Sequence, residues 1–156
     1  MKIITNPSDI EAKSFQIVAK YLSNLKLPML EKEVVKRVLH ATSDLKYAKD
    51  LIFSPRAVSD GLRAIKKGMN IVVDASMVKA GINKKILSGF GGKIICFINR
   101  GDIVRQSSRL NITRSILAMR KAYKLMDGGV VAIGNAPTAL FEVCDLVSKG
   151  RARPAL

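Results

Sequence analysis

Apolar positions near the start of the chain recur at the period of an amphipathic helix. Ser8 and Glu11 have the spacing of a capping box, so the first helix is predicted to begin there and to end before Pro28. The apolar face of this helix consists of Ile10, Ile17, Val18, Tyr21, Leu22 and Leu25. A second helix is predicted over about Met29–Leu39, and its apolar side is made of Leu30, Val34 and Val38.

The pattern changes in the middle of the chain from helical to strand-like. Ser54-Pro55 is typical of a helix start, and a third helix is predicted from there to Gly68. Three later segments are short, β-branched and apolar on both faces, as covered parallel strands are: Met69–Asp74, Lys93–Ile98 and Val130–Ile133. One helix over about Thr113–Met126 separates the last two strands, and another follows through Leu146. This alternation predicts a three-layer α/β/α fold with a mainly parallel sheet, in a single domain over residues 1–156.

Ligands of such sheets bind beyond the carboxyl ends of the strands. Asp74, Asn99–Arg100 and Gly134–Thr138 are therefore predicted to surround one mouth. The Gly134–Thr138 turn could capture an anion on its backbone N–H groups, or could be a plain strand-to-helix connection, and both interpretations stay open. Gly89–Lys93 precedes a strand, so we interpret it as a tight turn rather than a phosphate-binding loop.

Composition and charge narrow the classes of partner. A chain of 156 residues with 48% hydrophobic residues has enough apolar material for one globular domain. The 27 Lys and Arg outnumber the 12 Asp and Glu, and the net charge of +15 predicts an anionic partner. One hypothesis is a basic α/β module that binds nucleic acid or another polyanion. Aromatic residues make up only 5% and Trp is absent, so nucleic acid is the less favoured of these partners.

The densest basic segment extends from Arg100 to Met126 and holds five arginines. Arginine binds carboxylates and phosphates through two parallel hydrogen bonds, so this segment either indicates a ligand with several such groups or is a helix with a basic outer face. The longest apolar run, Ile94–Ile98, is far shorter than the roughly 18 residues of a membrane span. The first residues lack the apolar region of a secretory signal, so a cytoplasmic protein without a membrane partner is expected.

Histidine and cysteine are scarce in the chain. Cys96 and Cys144 lie in apolar sequence and are interpreted as reduced core residues. Two cysteines and one histidine are too few for an ordinary zinc site, so no metal is expected.

The one histidine, His40, is the first candidate for proton transfer near neutral pH. Arg37 lies on the same helix face, where a polyanionic ligand would neutralise it and leave His40 charged. Ser14, on the apolar face of the first helix, either fills space or presents a hydroxyl to a ligand.

Five segments of the chain carry a family resemblance. They are Ile10–Phe15, Arg37–Thr42, Asp50–Ser54, Thr113–Ser115 and Ile133–Leu140. In order and approximate spacing they resemble the precorrin-8X methylmutases. The most specific parts are His-Ala-Thr at 40–42 and Gly-Asn-Ala-Pro-Thr-Ala-Leu at 134–140. The resemblance covers essentially the whole chain.

The resemblance implies an isomerase of cobalamin biosynthesis that moves a methyl group from C-11 to C-12 of a polycarboxylate tetrapyrrole, precorrin-8X or cobalt-precorrin-8. It implies a homodimer, a parallel sheet and no cofactor. His40 matches the catalytic histidine that exchanges a proton with the macrocycle, and Ser14 and Arg37 match substrate-contacting positions. Residues that align with segments bordering the pocket are Thr113, Arg114, Ser115, Asn135 and Thr138.

The chain departs from the family pattern in two places. Ser43 stands where the family usually has glycine after His-Ala-Thr, in the turn that aims His40. The family also continues beyond the position of Leu156 through an apolar strand and a Pro-Val-Gly-Phe segment. The domain over residues 1–156 is expected to lack both of these pieces.

Overall fold

The computed structural model describes residues 3–156, which form two compact units. The first unit ends at Val58 and contains three helices among its described residues: α1 (Pro7–Leu22), α2 (Met29–Thr42) and α3 (Tyr47–Asp50). They pack around one apolar cluster, whose buried members are Val18, Leu22, Val35, Leu39 and Ala48. This small core packs α1 against α2 and fixes the position of one helix relative to the other.

The start of α1 differs from the prediction. Asn6 is the N-cap residue, because its side-chain oxygen accepts hydrogen bonds from the backbone N–H groups of Ser8 at 2.9 Å and Asp9 at 3.3 Å. Pro7 therefore takes the first helical position, which needs no N–H donor. The predicted capping box of Ser8 and Glu11 is wrong, since Asn6 caps the helix two residues earlier, Ser8 lies inside the helix and the N–H of Ser8 already donates to Asn6.

The buried side of α2 was predicted one position too early. Val35 and Leu39 are fully covered, whereas Leu30, on the predicted face, remains 43% exposed. Adjacent apolar pairs such as Val34-Val35 offer two stripes about 100° apart, and packing against α1 selects the second of them. The helix also continues to Thr42, so His40 lies in its last turn rather than beyond its end.

The second unit, Ser59–Leu156, contains a parallel sheet. Its strands are β1 (Ile71–Val73), β2 (Ile94–Ile95) and β3 (Val130–Ala132), in the order β2-β1-β3. Ile71 pairs with Ile94 on one side and with Val130 on the other, and both pairings are parallel. The predicted parallel sheet is confirmed, with strands shorter than the apolar segments because only two or three residues of each segment are paired.

Helices cover both faces of this sheet. They are α4 (Ala57–Lys66), which begins at the end of the first unit, α5 (Ser76–Gly81), α6 (Lys84–Gly89), α7 (Gly101–Leu110), α8 (Arg114–Ala122), followed by a 3-10 turn, Tyr123–Leu125, and α9 (Pro137–Ser148). Val72 packs into the cluster formed by α8 and α9, whereas Ile71 and Val73 pack into the cluster that contains Leu87 of α6. Successive strand residues point to opposite faces, so the predicted α/β/α layering is confirmed here.

Several smaller predictions need correction. Helices α3, α5, α6 and α7 were not predicted, because they are short or, in α7, mostly polar. Pro55 lies in a turn ahead of α4, and the positive φ of Arg56, 64°, delays the helix start to Ala57. Cys144 is exposed rather than a core residue, since it lies on the outer side of α9. Over residues 3–156, no helix is long and apolar enough to cross a membrane.

Candidate active site

The one histidine of the chain is held by a side chain of the neighbouring helix. The Oγ of Ser14 lies 2.8 Å from the Nδ1 of His40, and this hydrogen bond joins α1 to α2 inside the first unit. Both side chains are half-buried. A hydroxyl can donate to an unprotonated Nδ1 or accept from a protonated one, so the hydrogen bond persists in either state of the ring. Ser14 thus orients the imidazole and leaves Nε2 as the nitrogen available for proton exchange.

The ring of Phe15 lies beside this pair and collects positive charge around it. Its centroid is 4.7 Å from that of the His40 ring, 4.9 Å from the Nζ of Lys36 and 4.9 Å from the Cζ of Arg37. Cations close to an aromatic ring are attracted by its negative face. The aromatic side chain therefore keeps two cationic groups next to the only imidazole.

Both cationic groups have a carboxylate partner. Arg37 meets Glu11 at 3.4 Å, and Lys36 meets Glu33 at 3.5 Å. The side chain of Arg37 is 70% exposed, so this ion pair is weak and screened by water. A ligand that carries carboxylates can take the place of Glu11 at little cost in free energy.

The turn after His40 has a strained backbone. Ser43 ends α2 with φ 55° and ψ 21°, in the left-handed region, while its N–H donates to the carbonyl of Leu39 at 2.9 Å. This is the C-cap geometry that favours glycine, because a Cβ at positive φ approaches the neighbouring backbone. A glycine at this position would avoid the cost that serine carries here.

Replacing Ser43 by glycine is expected to stabilise the protein by about 0.5–1 kcal/mol, because the strain of the left-handed residue is relieved. Urea denaturation followed by circular dichroism measures the change. Ser108→Gly in α7 is the matched control: Ser108 has ordinary helical backbone, so that substitution is expected to destabilise the protein by about 0.5 kcal/mol. Equal effects of the two substitutions would contradict the assignment of strain to Ser43.

Three hydroxyl groups meet in the second unit, at the beginnings of α8 and α9. Ser115 Oγ lies 2.7 Å from Thr138 Oγ1 and 3.1 Å from Thr113 Oγ1, and the two threonine hydroxyls are 3.5 Å apart. We call Thr113, Ser115 and Thr138 the hydroxyl cluster. Ser115 is buried, with 6% of its surface exposed, while Thr113 caps α8 by accepting from the N–H of Ile116. Hydroxyls at two helix N-termini suit a negatively charged ligand group.

The turn before α9 already holds a carboxylate of the chain itself. The N–H groups of Gly134, Asn135 and Ala136 donate to the carboxylate of Asp74 at 3.1, 2.9 and 2.7 Å. Burial raises the pKa of Asp74, but these backbone hydrogen bonds outweigh it and the pKa lies below its usual value. Of the two open interpretations of this turn, external anion capture through these N–H groups is not supported, because Asp74 occupies them.

The basic segment of the sequence lies on α7 and α8. Hydrogen bonds from Lys121 and Arg100 hold the pKa of Asp102 well below its usual value, so two of the cations are paired with one acid. Arg120 of α8 makes a two-point hydrogen bond to Glu142 of α9 at 2.8 and 3.0 Å. Part of the arginine excess therefore supports the packing of α8 on α9, a role that neither interpretation of the segment had included.

Within residues 3–156, no group of three His, Cys, Asp or Glu side chains could hold a metal ion. The predicted site residues fall into two groups, one in each unit. Ser14, Arg37 and His40 come together in the first unit. Thr113, Ser115 and Thr138 come together in the second, with Arg114 exposed at the start of α8 and Asn135 exposed on the turn that Asp74 holds.

Comparison with known proteins shows which family the chain belongs to. The family model for precorrin-8X methylmutase matches residues 9–156. The chain belongs to the precorrin-8X methylmutase family. It is 39% identical over 154 residues to the cobalt-precorrin-8 methylmutase of Priestia megaterium, an alignment that covers 99% of this chain and 68% of that protein.

Two further relatives of this methylmutase family member also carry methylmutase names. The chain is 44% identical over 128 residues to the cobalt-precorrin-8 methylmutase of Methanocaldococcus jannaschii, which covers 81% of this chain and 58% of that protein. A solved structure of the precorrin-8X methyl mutase from Thermus thermophilus superposes with a TM-score of 0.86 at 37% identity, over 95% of this chain and 71% of that one. The chain thus spans 58% to 71% of the length of these three relatives.

In this methylmutase family member, Phe15, Glu11 and Lys36 contact the site without having been predicted to take part, and the partners of Asp74 were not predicted. Phe15 follows Ser14 directly, and its place beside a predicted site residue was the available signal. Glu11 was interpreted as part of a cap, whereas its carboxylate meets Arg37. Asp74 was placed at the mouth of the sheet, but its partners lie 60 to 62 residues further along the chain, where no local pattern connects them.

Proposed function

We propose that the chain is a methylmutase that moves the methyl group from C-11 to C-12 of precorrin-8X or cobalt-precorrin-8, giving hydrogenobyrinate or cobyrinate. The observation that carries this proposal is the 2.8 Å hydrogen bond between Ser14 and His40, with the cations of Lys36 and Arg37 against the adjacent Phe15 ring. Family membership and the names of the relatives support the same reaction.

His40 is the residue that exchanges a proton with the macrocycle. The reaction is an isomerisation, so no electrons or atoms are gained, and a proton donated to the ring system must be taken back after the methyl group has moved. Nε2 of His40 gives and recovers this proton, while the hydroxyl of Ser14 stays on Nδ1 throughout. A hydroxyl suits this position because it serves both protonation states of the ring without moving.

The rim of the tetrapyrrole carries acetate and propionate carboxylates, and the site residues offer matching groups. Arg37 exchanges its contact with Glu11 for a substrate carboxylate and forms charge-assisted hydrogen bonds with it. In the second unit, the hydroxyl cluster with Arg114 and Asn135 stays the predicted set of substrate contacts. Holding the macrocycle in one orientation selects the tautomer from which the methyl group shifts.

The test is incubation of the protein with precorrin-8X or cobalt-precorrin-8 while the absorption spectrum is recorded. Conversion to the product spectrum, or retention of the product on the protein, supports the proposal. Absence of both would overturn it. If the protein instead binds unrelated DNA with an affinity that falls steeply with salt, the net charge of +15 serves the alternative role of a polyanion-binding module.

Replacing Arg37 by alanine is expected to weaken tetrapyrrole binding by about tenfold, because one charge-assisted contact of about 1.4 kcal/mol is lost. Titration of the product into the protein, followed by absorbance, measures the dissociation constant. Lys20→Ala removes the same charge from an exposed position on α1 and serves as the control. If both variants lose the same affinity, only the overall charge matters and Arg37 makes no specific contact.

The assembly and the location of the protein belong to the same proposal. We expect a homodimer, as the family resemblance implies, and the exposed apolar side chains of Leu140, Phe141 and Val147 on α9 are in keeping with a partner chain. Sedimentation equilibrium measures the mass of the assembly. The free thiols of Cys96 and Cys144 accord with the reducing cytoplasm.

A further inference from the structure

One buried acid is not used by the proposed chemistry. Asp74 is 1% exposed and follows the carboxyl end of β1, where its carboxylate accepts three backbone hydrogen bonds from the turn between β3 and α9. A buried carboxylate is costly unless it is hydrogen-bonded, and here both of its oxygens have donors. The acid therefore joins two neighbouring parallel strands at the end where ligands of such sheets bind.

The turn leads directly into the hydroxyl cluster. Ala136 is the N-cap of α9, Pro137 fixes the first helical position, and Thr138 comes next, with its hydroxyl 2.7 Å from that of Ser115. Proline allows little variation in φ, so the orientation of the turn determines the orientation of Thr138. By holding the N–H of Ala136, the Asp74 carboxylate therefore also sets the position of Thr138.

The Gly134–Ala136 turn packs closely against α5, which leaves its backbone little room to move. A Cβ at Gly134 would lie 2.6 Å from Cγ2 of Val78 on α5, so the backbone of the turn approaches that helix too closely for any larger residue. The three N–H groups are used by Asp74 and are thus withheld from a substrate carboxylate. The turn exposes the side chain of Asn135, and the half-buried Thr138 that follows it keeps its hydroxyl in the hydroxyl cluster.

We propose that Asp74 is a positioning residue, whose carboxylate holds the Gly134–Ala136 turn so that Thr138 and Asn135 meet the substrate in one fixed arrangement. This rests on the proposed function, since it takes these side chains to be substrate contacts. Asp74 itself touches no substrate. Its loss changes how well the tetrapyrrole is held rather than the proton exchange at His40.

The test uses Asp74→Ala and Asp74→Asn in the full chain. Both are expected to raise KM for the tetrapyrrole by about 10-fold or more while kcat changes by less than about threefold, because a misplaced contact weakens binding without removing the acid–base group. Formate at tens of millimolar is expected to restore KM in Asp74→Ala, where it fills the vacated place, and not in Asp74→Asn, where the amide occupies it. Sodium chloride at equal ionic strength controls for screening.

Asp127→Ala is the matched control. Asp127 also accepts a backbone hydrogen bond, from the N–H of Arg153 at 2.7 Å, but it lies ahead of β3, at the opposite end of the strand from the turn. This variant is expected to keep the KM of the unmodified protein. A raised KM in Asp127→Ala equal to that in Asp74→Ala, or no formate effect, would overturn the assignment of Asp74.

An independent readout does not depend on turnover. The amide proton resonances of Gly134, Asn135 and Ala136 are expected to lie downfield in the unmodified protein, to move upfield in Asp74→Ala and to return with formate. If the unmodified protein neither binds nor converts the tetrapyrrole, the proposed function fails. If it does bind and the Asp74 variants bind equally well, the function stands and the positioning role is wrong.

Discussion

Replacing His40 by alanine is expected to lower kcat by about 10²- to 10⁴-fold while the tetrapyrrole still binds. The imidazole is the group proposed to exchange the proton, and Arg37, the proposed contact for a substrate carboxylate, remains in place with Lys36 beside Phe15. Single-turnover absorbance measurements with excess protein give the rate of conversion, and titration with the product gives the dissociation constant. A variant with full turnover would remove the assigned role of His40.

Ser14→Ala separates orientation of the ring from proton exchange. It removes the hydroxyl on Nδ1 and keeps the imidazole, so kcat is expected to fall by only about tenfold, the effect of losing one hydrogen bond of about 1.4 kcal/mol. Ser23→Ala is the control, because Ser23 lies on the capping turn of the same helix and its hydroxyl bonds to the carbonyl of Lys20. A loss in Ser14→Ala as large as that in His40→Ala would show that the serine takes part in the proton transfer itself.

Breaking the ion pair between α8 and α9 is expected to have the largest effect on stability among the predictions. Glu142 is 8% exposed and meets Arg120 through two hydrogen bonds, at 2.8 and 3.0 Å. In Arg120→Met the buried carboxylate loses both donors, at a cost of about 2 kcal/mol after allowance for the 49% exposure of the arginine. For a chain of this length the expected fall in Tm is about 4–8 °C, measured by thermal denaturation.

A double variant shows whether the unpaired charge causes this loss. Arg120→Met combined with Glu142→Leu removes both charges, and most of the lost stability is expected to return because no carboxylate remains buried. Lys149→Met is the control on the same helix, where the pair with Asp145 is exposed and is expected to contribute less than about 1 kcal/mol. Equal losses in Arg120→Met and Lys149→Met would contradict the role of burial.

Much of the second unit could be predicted from local pattern. The three apolar segments become paired parallel strands, and Gly68 ends the region of α4 with a positive φ of 71°, as its place in the sequence indicated. Thr113 caps α8, which begins one residue after the predicted start. These features depend on a few neighbouring residues, so the sequence alone carries the information.

The errors share a different cause. The cap at Asn6, the buried stripe at Val35 and Leu39, and the exposed Cys144 each required a choice between neighbouring positions of similar chemistry. For the buried stripe and for Cys144, packing against neighbouring elements makes that choice and outweighs the difference in local preference. At Asn6, the amide side chain makes it through its hydrogen bonds to the N–H groups of Ser8 and Asp9. Helix α7 was missed because its residues are mostly polar, and few of them are buried.

By itself the sequence determined the period at which apolar residues recur, and this pattern indicates helices that alternate with parallel strands. It also determined that the one imidazole of the chain lies on a basic helix. Only the tertiary structure decided what each site residue contacts. Ser14 and His40 are 26 residues apart, and Asp74 lies 60 to 62 residues from the N–H groups it holds. Such hydrogen bonds form because separate elements pack at particular angles and distances, and the spacing of residues along one element carries no record of that geometry.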